Sequence, residues 1–157
     1  MTFKTAVEAT PEIQNAWKRG LRALRAADSQ RIDAEVTRRL SGSVDLDTTL
    51  SESCPNDPRW DYAVGYRSNG GGGETVYWIE IHPASSGDVN TVLRKLEWLK
   101  KWLADKAPKL NEMRKDFLWI SSGRTSFTLS SPQAKRFALL GLRHTGQRFK
   151  IGSAMMV

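Results

Sequence analysis

Cysteine is nearly absent from this chain of 157 residues, which contains only Cys54. One cysteine excludes an intrachain disulfide and fits a reducing compartment. Cys54 and His144 do not have the spacing of zinc ligands, so a structural zinc site is not expected. No segment approaches the roughly 20 apolar residues that a membrane-spanning helix needs. The N-terminal segment MTFKTAVEATPEIQNAW lacks the apolar run of a signal peptide, so we expect a cytoplasmic protein that does not enter the membrane.

Acidic residues are the minority among the charged side chains. The chain has 24 Lys and Arg against 17 Asp and Glu, which gives a formal net charge of +7 and a pI of about 9.8. This balance favours an acidic partner, and nucleic acid, either DNA or RNA, is the commonest one. A basic surface that serves solubility alone is the alternative. The basic residues are spread over several segments: WKRGLRALR, RRL, LRKLEWLKKWLADKAPK and GLRHTGQRFK.

The first 40 residues carry helical spacing. From 10 to 27, apolar residues recur at three- and four-residue steps, with Thr10 as the cap and Pro11 at the first helical position. Asp28 or Ser29 can cap a second helical stretch that runs to Leu40. The pattern therefore predicts two helices before the first strand.

Three short runs with strand character follow, at SVDLDT, WDYAVGYR and TVYWIEIH, with the glycines 70–73 between the last two. Short connections make an antiparallel meander the simplest arrangement. The later chain predicts a helix from Ser85 or Ser86 to Pro108, a buried strand DFLWISS, a helix SSPQAKRFALLGLRH capped by Ser131, and a last strand RFKIG. We predict one α/β domain over residues 1–157: a mixed β-sheet with helices on both faces, in the order αβββαβαβ.

Alternation along the strands brings acidic residues together. Glu80 and His82 share one face of the third strand, and Asp61 starts the second strand. In an antiparallel pair, the start of the second strand lies beside the end of the third, so Asp61 and Glu80 converge with His82 next to them. Two carboxylates this close repel unless a cation or proton lies between them, and Mg²⁺ or Mn²⁺ suits oxygen ligands. For each residue alone, helix capping or pairing with a nearby arginine is the favoured explanation, and the residues together, at matching strand ends, favour a site.

In its element order the chain resembles the restriction-endonuclease-like, or PD-(D/E)XK, nuclease superfamily. The segments PRWDYAV and WIEIH supply an Asp and a Glu-x-His where that family has an Asp and a Glu-x-Lys. The resemblance implies that Asp61 and Glu80 hold the metal and activate water, and that the protein cuts DNA or RNA, often as a homodimer. The family often adds a glutamate from the first helix, for which Glu12 and Glu35 are both available.

His82 at the lysine position leaves three interpretations open. His82 replaces the lysine and polarises water or phosphate, with a charge that depends on pH near neutrality. Alternatively, Lys95 from the following helix takes over, since such migration is known in the family. In the third, the site is inactive and the fold binds nucleic acid or a protein partner. The metal-dependent nuclease is the leading hypothesis.

Overall fold

The computed structural model describes residues 1–68, 71–124 and 131–152. The glycine connection expected at 70–73 therefore lies partly outside the described residues. The helices are α1 (Phe3–Glu8), α2 (Ala26–Ser29), α3 (Leu46–Thr49), α4 (Asp88–Lys106), α5 (Pro108–Glu112) and α6 (Pro132–Leu139). The strands are β1 (Ile32–Ala34), β2 (Leu40–Asp45), β3 (Tyr62–Arg67), β4 (Glu74–His82), β5 (Arg114–Ser121), β6 (Leu142–His144) and β7 (Phe149–Ile151).

The main sheet has five strands in the order β2-β3-β4-β5-β6. The first three form an antiparallel meander, as predicted, and β5 and β6 are each parallel to the preceding strand. The helices α4 and α6 make the two crossovers. The protein is therefore a mixed α/β protein with a mixed sheet.

The prediction of helices on both faces of the sheet is wrong for the long helices. Helices α1, α4 and α6 all contribute to one apolar cluster, which includes Trp78 and Trp119 of the sheet. Both parallel crossovers extend the sheet in the same direction, so right-handed connections place their helices on the same face. The other face packs against Ile32 of β1 and Ile151 of β7, which form a separate two-stranded parallel sheet. The last predicted strand thus exists as β7, outside the main sheet.

The helices predicted over 10–27 and on to Leu40 are also wrong. Residues Pro11–Ile13 form a single 3-10 turn, and α2 is one turn long. Between them, the N–H of Lys18 donates to the Ser43 carbonyl at 2.9 Å and the Ser43 N–H donates back at 2.8 Å, so this segment lies along the edge of β2. The apolar side chains of this segment instead project from irregular backbone, and they pack into the apolar clusters on both faces of the sheet. The helix at the start of the chain, α1, was not predicted.

Some observed element boundaries differ from the predicted ones where a local hydrogen bond ends a strand or begins a helix. Strand β2 ends at Asp45, whose carboxylate accepts the Thr48 N–H at 2.9 Å and begins α3, although the sequence predicted strand through this region. Helix α6 begins at its predicted cap, with Ser131 Oγ accepting the Ala134 N–H at 3.1 Å. It ends before Gly141, and the unpredicted strand β6 follows. None of the helices within the described ranges is both long and apolar enough to cross a membrane.

Candidate active site

Asp61 and Glu80 lie opposite each other at one end of the β3–β4 pair. The observed register pairs Ala63 with Trp78, and its continuation by one step of two residues places Asp61 across from Glu80 on the same face. The backbone N–H of Asp61 donates to Glu80 Oε1 at 3.2 Å. The N–H of Ile81 donates to Asp61 Oδ2 at 3.0 Å. Each carboxylate is therefore held by the backbone of the other strand, and the convergence expected from alternation is present.

Lys95 of α4 joins the two carboxylates. Helix α4 packs its apolar side chains, including Val92 and Leu99, on the sheet, and Lys95 extends from this buried side toward the strand ends. Its Nζ contacts Glu80 Oε2 directly and lies 3.6 Å from Asp61 Oδ1. The exposed fractions of the side chains are 0% for Glu80, 15% for Lys95 and 20% for Asp61. One ammonium thus bridges two carboxylates in a largely buried site that is open at the side of Asp61.

His82 lies beside this group, between two carboxylates. Its Nδ1 is 3.6 Å from Glu80 Oε2, and its Nε2 is 3.2 Å from Asp88 Oδ1. Asp88 is held by the N–H of Ser85 at 2.9 Å and also accepts a hydrogen bond from the Ser85 hydroxyl. Because both ring nitrogens face acceptors, the doubly protonated imidazolium is favoured. The hydrogen bond that His82 donates to Glu80 is the largest cause that raises the pKa of His82, against the opposing effect of burial.

The electrostatics of the site leave Asp61 short of positive charge. Burial, followed by the negative charge of Glu80, raises the pKa of Asp61 from 3.8 to about 7, and the ammonium of Lys95 opposes this rise only in part. Burial acts to lower the pKa of Lys95, but the charges of Glu80 and Asp61 outweigh it and the pKa is raised. Lys95 is therefore a cation at neutral pH, and it does not compensate both carboxylates.

The donor set fits a hard divalent cation that has few protein ligands. Asp61 and Glu80 each direct a carboxylate oxygen to one common point, where Lys95 lies. Mg²⁺ is commonly held by one or two carboxylates together with water and substrate oxygens. Within residues 1–68, 71–124 and 131–152, no group of three or more His, Cys, Asp or Glu is arranged to hold a metal ion. A metal held by Asp61 and Glu80 therefore has to complete its coordination with oxygens from outside these side chains.

The other acidic candidates lie elsewhere. Glu12 accepts the Trp102 Nε1–H at 2.9 Å, and Glu35 lies 3.4 Å from Lys150, so neither adds to the site. A further carboxylate, Asp47, lies next to the site: its N–H donates to the Asp61 carbonyl at 3.4 Å and its charge adds to the rise in the pKa of Asp61, while its side chain is bound by Arg59 at 3.0 Å. Trp60 is 0% exposed and belongs to the core.

Sequence reasoning missed Asp88 and its partner Ser85. The sequence predicted only that a helix begins here, with Ser85 or Ser86 as its cap. The N-cap is Gly87, which makes no side-chain capping bond, and Ser85 binds Asp88 instead. An acidic residue in the first turn of α4, six positions after a strand-end histidine, was the signal available. Comparisons of the chain with protein-family models, curated proteins and solved structures give no match, so function is inferred from the geometry of the site.

Proposed function

We propose that this protein is a metal-dependent nuclease that hydrolyses phosphodiester bonds in DNA or RNA. The observation that carries the proposal is the convergence of Asp61, Glu80 and Lys95 from two strands and a helix at one end of the sheet. Asp61 and Glu80 would hold Mg²⁺ or Mn²⁺, which lowers the pKa of bound water and stabilises charge on a phosphoryl group.

Lys95 is the residue that we assign to the role of the family lysine. Its ammonium stays protonated at neutral pH, so it supplies positive charge and hydrogen-bond donors to a phosphate and does not take a proton. His82 is held between Glu80 and Asp88, and its imidazolium adds a second positive charge at the same end of the sheet. This division of roles favours the interpretation in which the lysine has moved to the following helix.

Two broader properties support the proposal. Three antiparallel strands followed by two parallel crossovers are compatible with the αβββαβαβ order of the restriction-endonuclease-like nucleases. The net charge of +7 suits a polyanionic substrate.

The decisive experiment is a cleavage assay on labelled DNA and RNA with Mg²⁺, with Mn²⁺ and with EDTA. Glu80→Gln preserves the shape of the side chain and removes its charge, so we expect loss of cleavage with the fold retained. Asp33→Asn is the matched control, because Asp33 is an exposed carboxylate that pairs with Arg148 on the surface. Cleavage by Glu80→Gln at the rate of the wild type would contradict the assignment.

A second candidate function is a nuclease-like fold without catalysis that binds nucleic acid or a protein partner, including a second copy of the chain. It is favoured by one observation: the direct contact between Lys95 and the fully buried Glu80 already forms an ion pair that needs no metal. Titration of the purified protein with Mn²⁺ separates the candidates. A protein of this second kind binds nucleic acid in EDTA but neither binds Mn²⁺ nor cleaves.

A further inference from the structure

Four arginines gather at the end of the sheet that is opposite to Asp61 and Glu80. They come from three separate segments: Arg19 from the irregular segment beside β2, Arg38 and Arg39 from the 3-10 turn before β2, and Arg67 from the end of β3. Two adjoining depressions of about 430 Å³ each are found here, and Arg38 and Arg67 line both of them. We call this group the arginine cleft.

The positive charge of the arginine cleft is largely uncompensated. Among the described residues, no carboxylate forms an ion pair with any of its four arginines. Glu74 also lines the cleft and supplies one negative charge against the four arginines, and its Oε1 accepts the Phe3 N–H at 2.8 Å. Nη2 of Arg67 donates to the Arg38 carbonyl at 2.8 Å, which ties the two segments together. Like charges assembled from separate segments are stabilised when an anion binds among them.

The chemistry of the arginine cleft points to phosphate groups of a nucleic acid. Guanidinium groups bind phosphate oxygens through paired N–H donors, which is the reason that arginine is preferred at phosphate sites. Within the described residues, the exposed large hydrophobic side chains are Met1, Leu139 and Leu140, and none of them lines the cleft. Two apolar side chains, Trp17 and Leu40, line one of the depressions and are only partly exposed, so the four arginines outnumber the apolar groups where a protein-docking surface ordinarily has an apolar centre.

The distance between the arginine cleft and the two carboxylates follows from the length of β3. Asp61, directly before β3, and Arg67 are six residues apart on the same face of this extended segment, so their Cα atoms are separated by about 20 Å. Phe3 of α1 packs against Gly65 between them, so a duplex that reaches both has to pass outside α1. A duplex rises 3.4 Å per base pair, so this distance corresponds to roughly six base pairs. We propose that the arginine cleft binds backbone phosphates of a nucleic-acid duplex about six base pairs away from the bond held at Asp61 and Glu80. The proposed binding at the cleft does not depend on the proposed function, whereas the spacing of six base pairs rests on it.

The test measures binding by fluorescence anisotropy with a labelled 20-base-pair duplex in EDTA, where no metal supports cleavage. The variant is Arg19→Gln with Arg38→Gln, two exposed side chains for which the described residues show no ion pair. The control is Lys135→Gln with Arg136→Gln, which removes the same charge from the exposed side of α6. We expect the cleft variant to bind about tenfold or more weakly near 0.1 M salt. Its log–log salt slope should shrink by about 0.9 for each phosphate that the variant no longer neutralises.

Three results would overturn the proposal. These are an unchanged affinity in the cleft variant, an equal loss in the control variant, and a poly-aspartate peptide that binds through the same arginines as tightly as the duplex. If the wild type binds the duplex through the cleft but never cleaves it with Mg²⁺ or Mn²⁺, the proposed nuclease function is wrong and the proposed binding at the cleft is supported. If the protein cleaves but kcat/KM does not increase for duplexes longer than six base pairs, the proposed spacing is wrong and the nuclease function is supported.

Discussion

Asp61→Asn should stabilise the metal-free protein at alkaline pH and have a much smaller effect at acidic pH. In the folded protein the pKa of Asp61 is raised from 3.8 to about 7 by burial and by the charge of Glu80. Between these two values the folded state binds more protons than the unfolded state, so the free energy of unfolding falls as the pH rises. Each pKa unit corresponds to about 1.4 kcal/mol, so ionising Asp61 in the folded state costs at most about 4 kcal/mol above pH 7.

An asparagine removes this cost and keeps the main hydrogen bond. Its carbonyl oxygen can still accept the Ile81 N–H, as Asp61 Oδ2 does at 3.0 Å. The pKa of about 7 already includes the attraction of Lys95, which lies 3.6 Å from Asp61, so the net gain at pH 8 is at most about 4 kcal/mol. At pH 5 Asp61 is mostly protonated in the folded state but already ionised in the unfolded state, so the difference between the two proteins shrinks by about 2–3 kcal/mol between pH 8 and pH 5.

The assay is urea denaturation of the wild type and Asp61→Asn in EDTA at pH 5, 6, 7 and 8. Other titrating groups are common to both proteins and largely cancel in the difference between their free energies of unfolding. Asp33→Asn is the control, since Asp33 is 55% exposed and should show no such trend. A difference that is the same at pH 5 and pH 8 would refute the reasoning, because it would mean that Lys95 fully compensates Asp61. Adding Mg²⁺ at pH 8 at 100 times its Kd should restore about 2.7 kcal/mol to the wild type and less to Asp61→Asn.

Two further substitutions test the site and the fold, each by urea denaturation. Lys95→Met leaves Glu80 buried without its cation and should destabilise the protein by about 3–5 kcal/mol at pH 7. Lys95→Arg, which keeps the charge, is the comparison. A Lys95→Met variant as stable as the wild type would show that the ion pair contributes nothing. Gly42→Ala should cost roughly 2–4 kcal/mol, because Gly42 has φ +129° and an added Cβ would lie 2.0 Å from Trp17 Nε1. Gly123→Ala, where an added Cβ meets nothing within 4 Å, is its control, and equal losses in the two would contradict the steric account.

Much of the candidate site was predictable because its acidic residues lie on adjacent strands. The side-chain period of two in β-strands and the antiparallel order of neighbours determine that Asp61 and Glu80 share a face and an end, and both properties are local. His82 followed from the same alternation. The role of Lys95 could be proposed only through a family resemblance, because the direction in which a helix presents one polar residue depends on how the whole helix packs.

The first 40 residues show why the remainder of the fold was out of reach. Ile13 and Leu24 belong to a series of apolar residues at helical spacing. In the structure this segment is not helical: it hydrogen-bonds to β2 through Lys18, and the two side chains are buried in different clusters. Periodicity reports which residues are apolar, and it does not report which distant surface covers them.

The sequence by itself determined the meander, the α4 crossover, the start of α6 and the two carboxylates at one strand end, because each depends on contacts between neighbours in the chain or on short connections. Only the tertiary structure decided that Lys95 bridges those carboxylates, that β7 pairs with β1 outside the main sheet, and that the arginine cleft assembles from three segments. These features join residues that are far apart in sequence. Their free energy comes from burial and charge in the assembled protein, which no local pattern records.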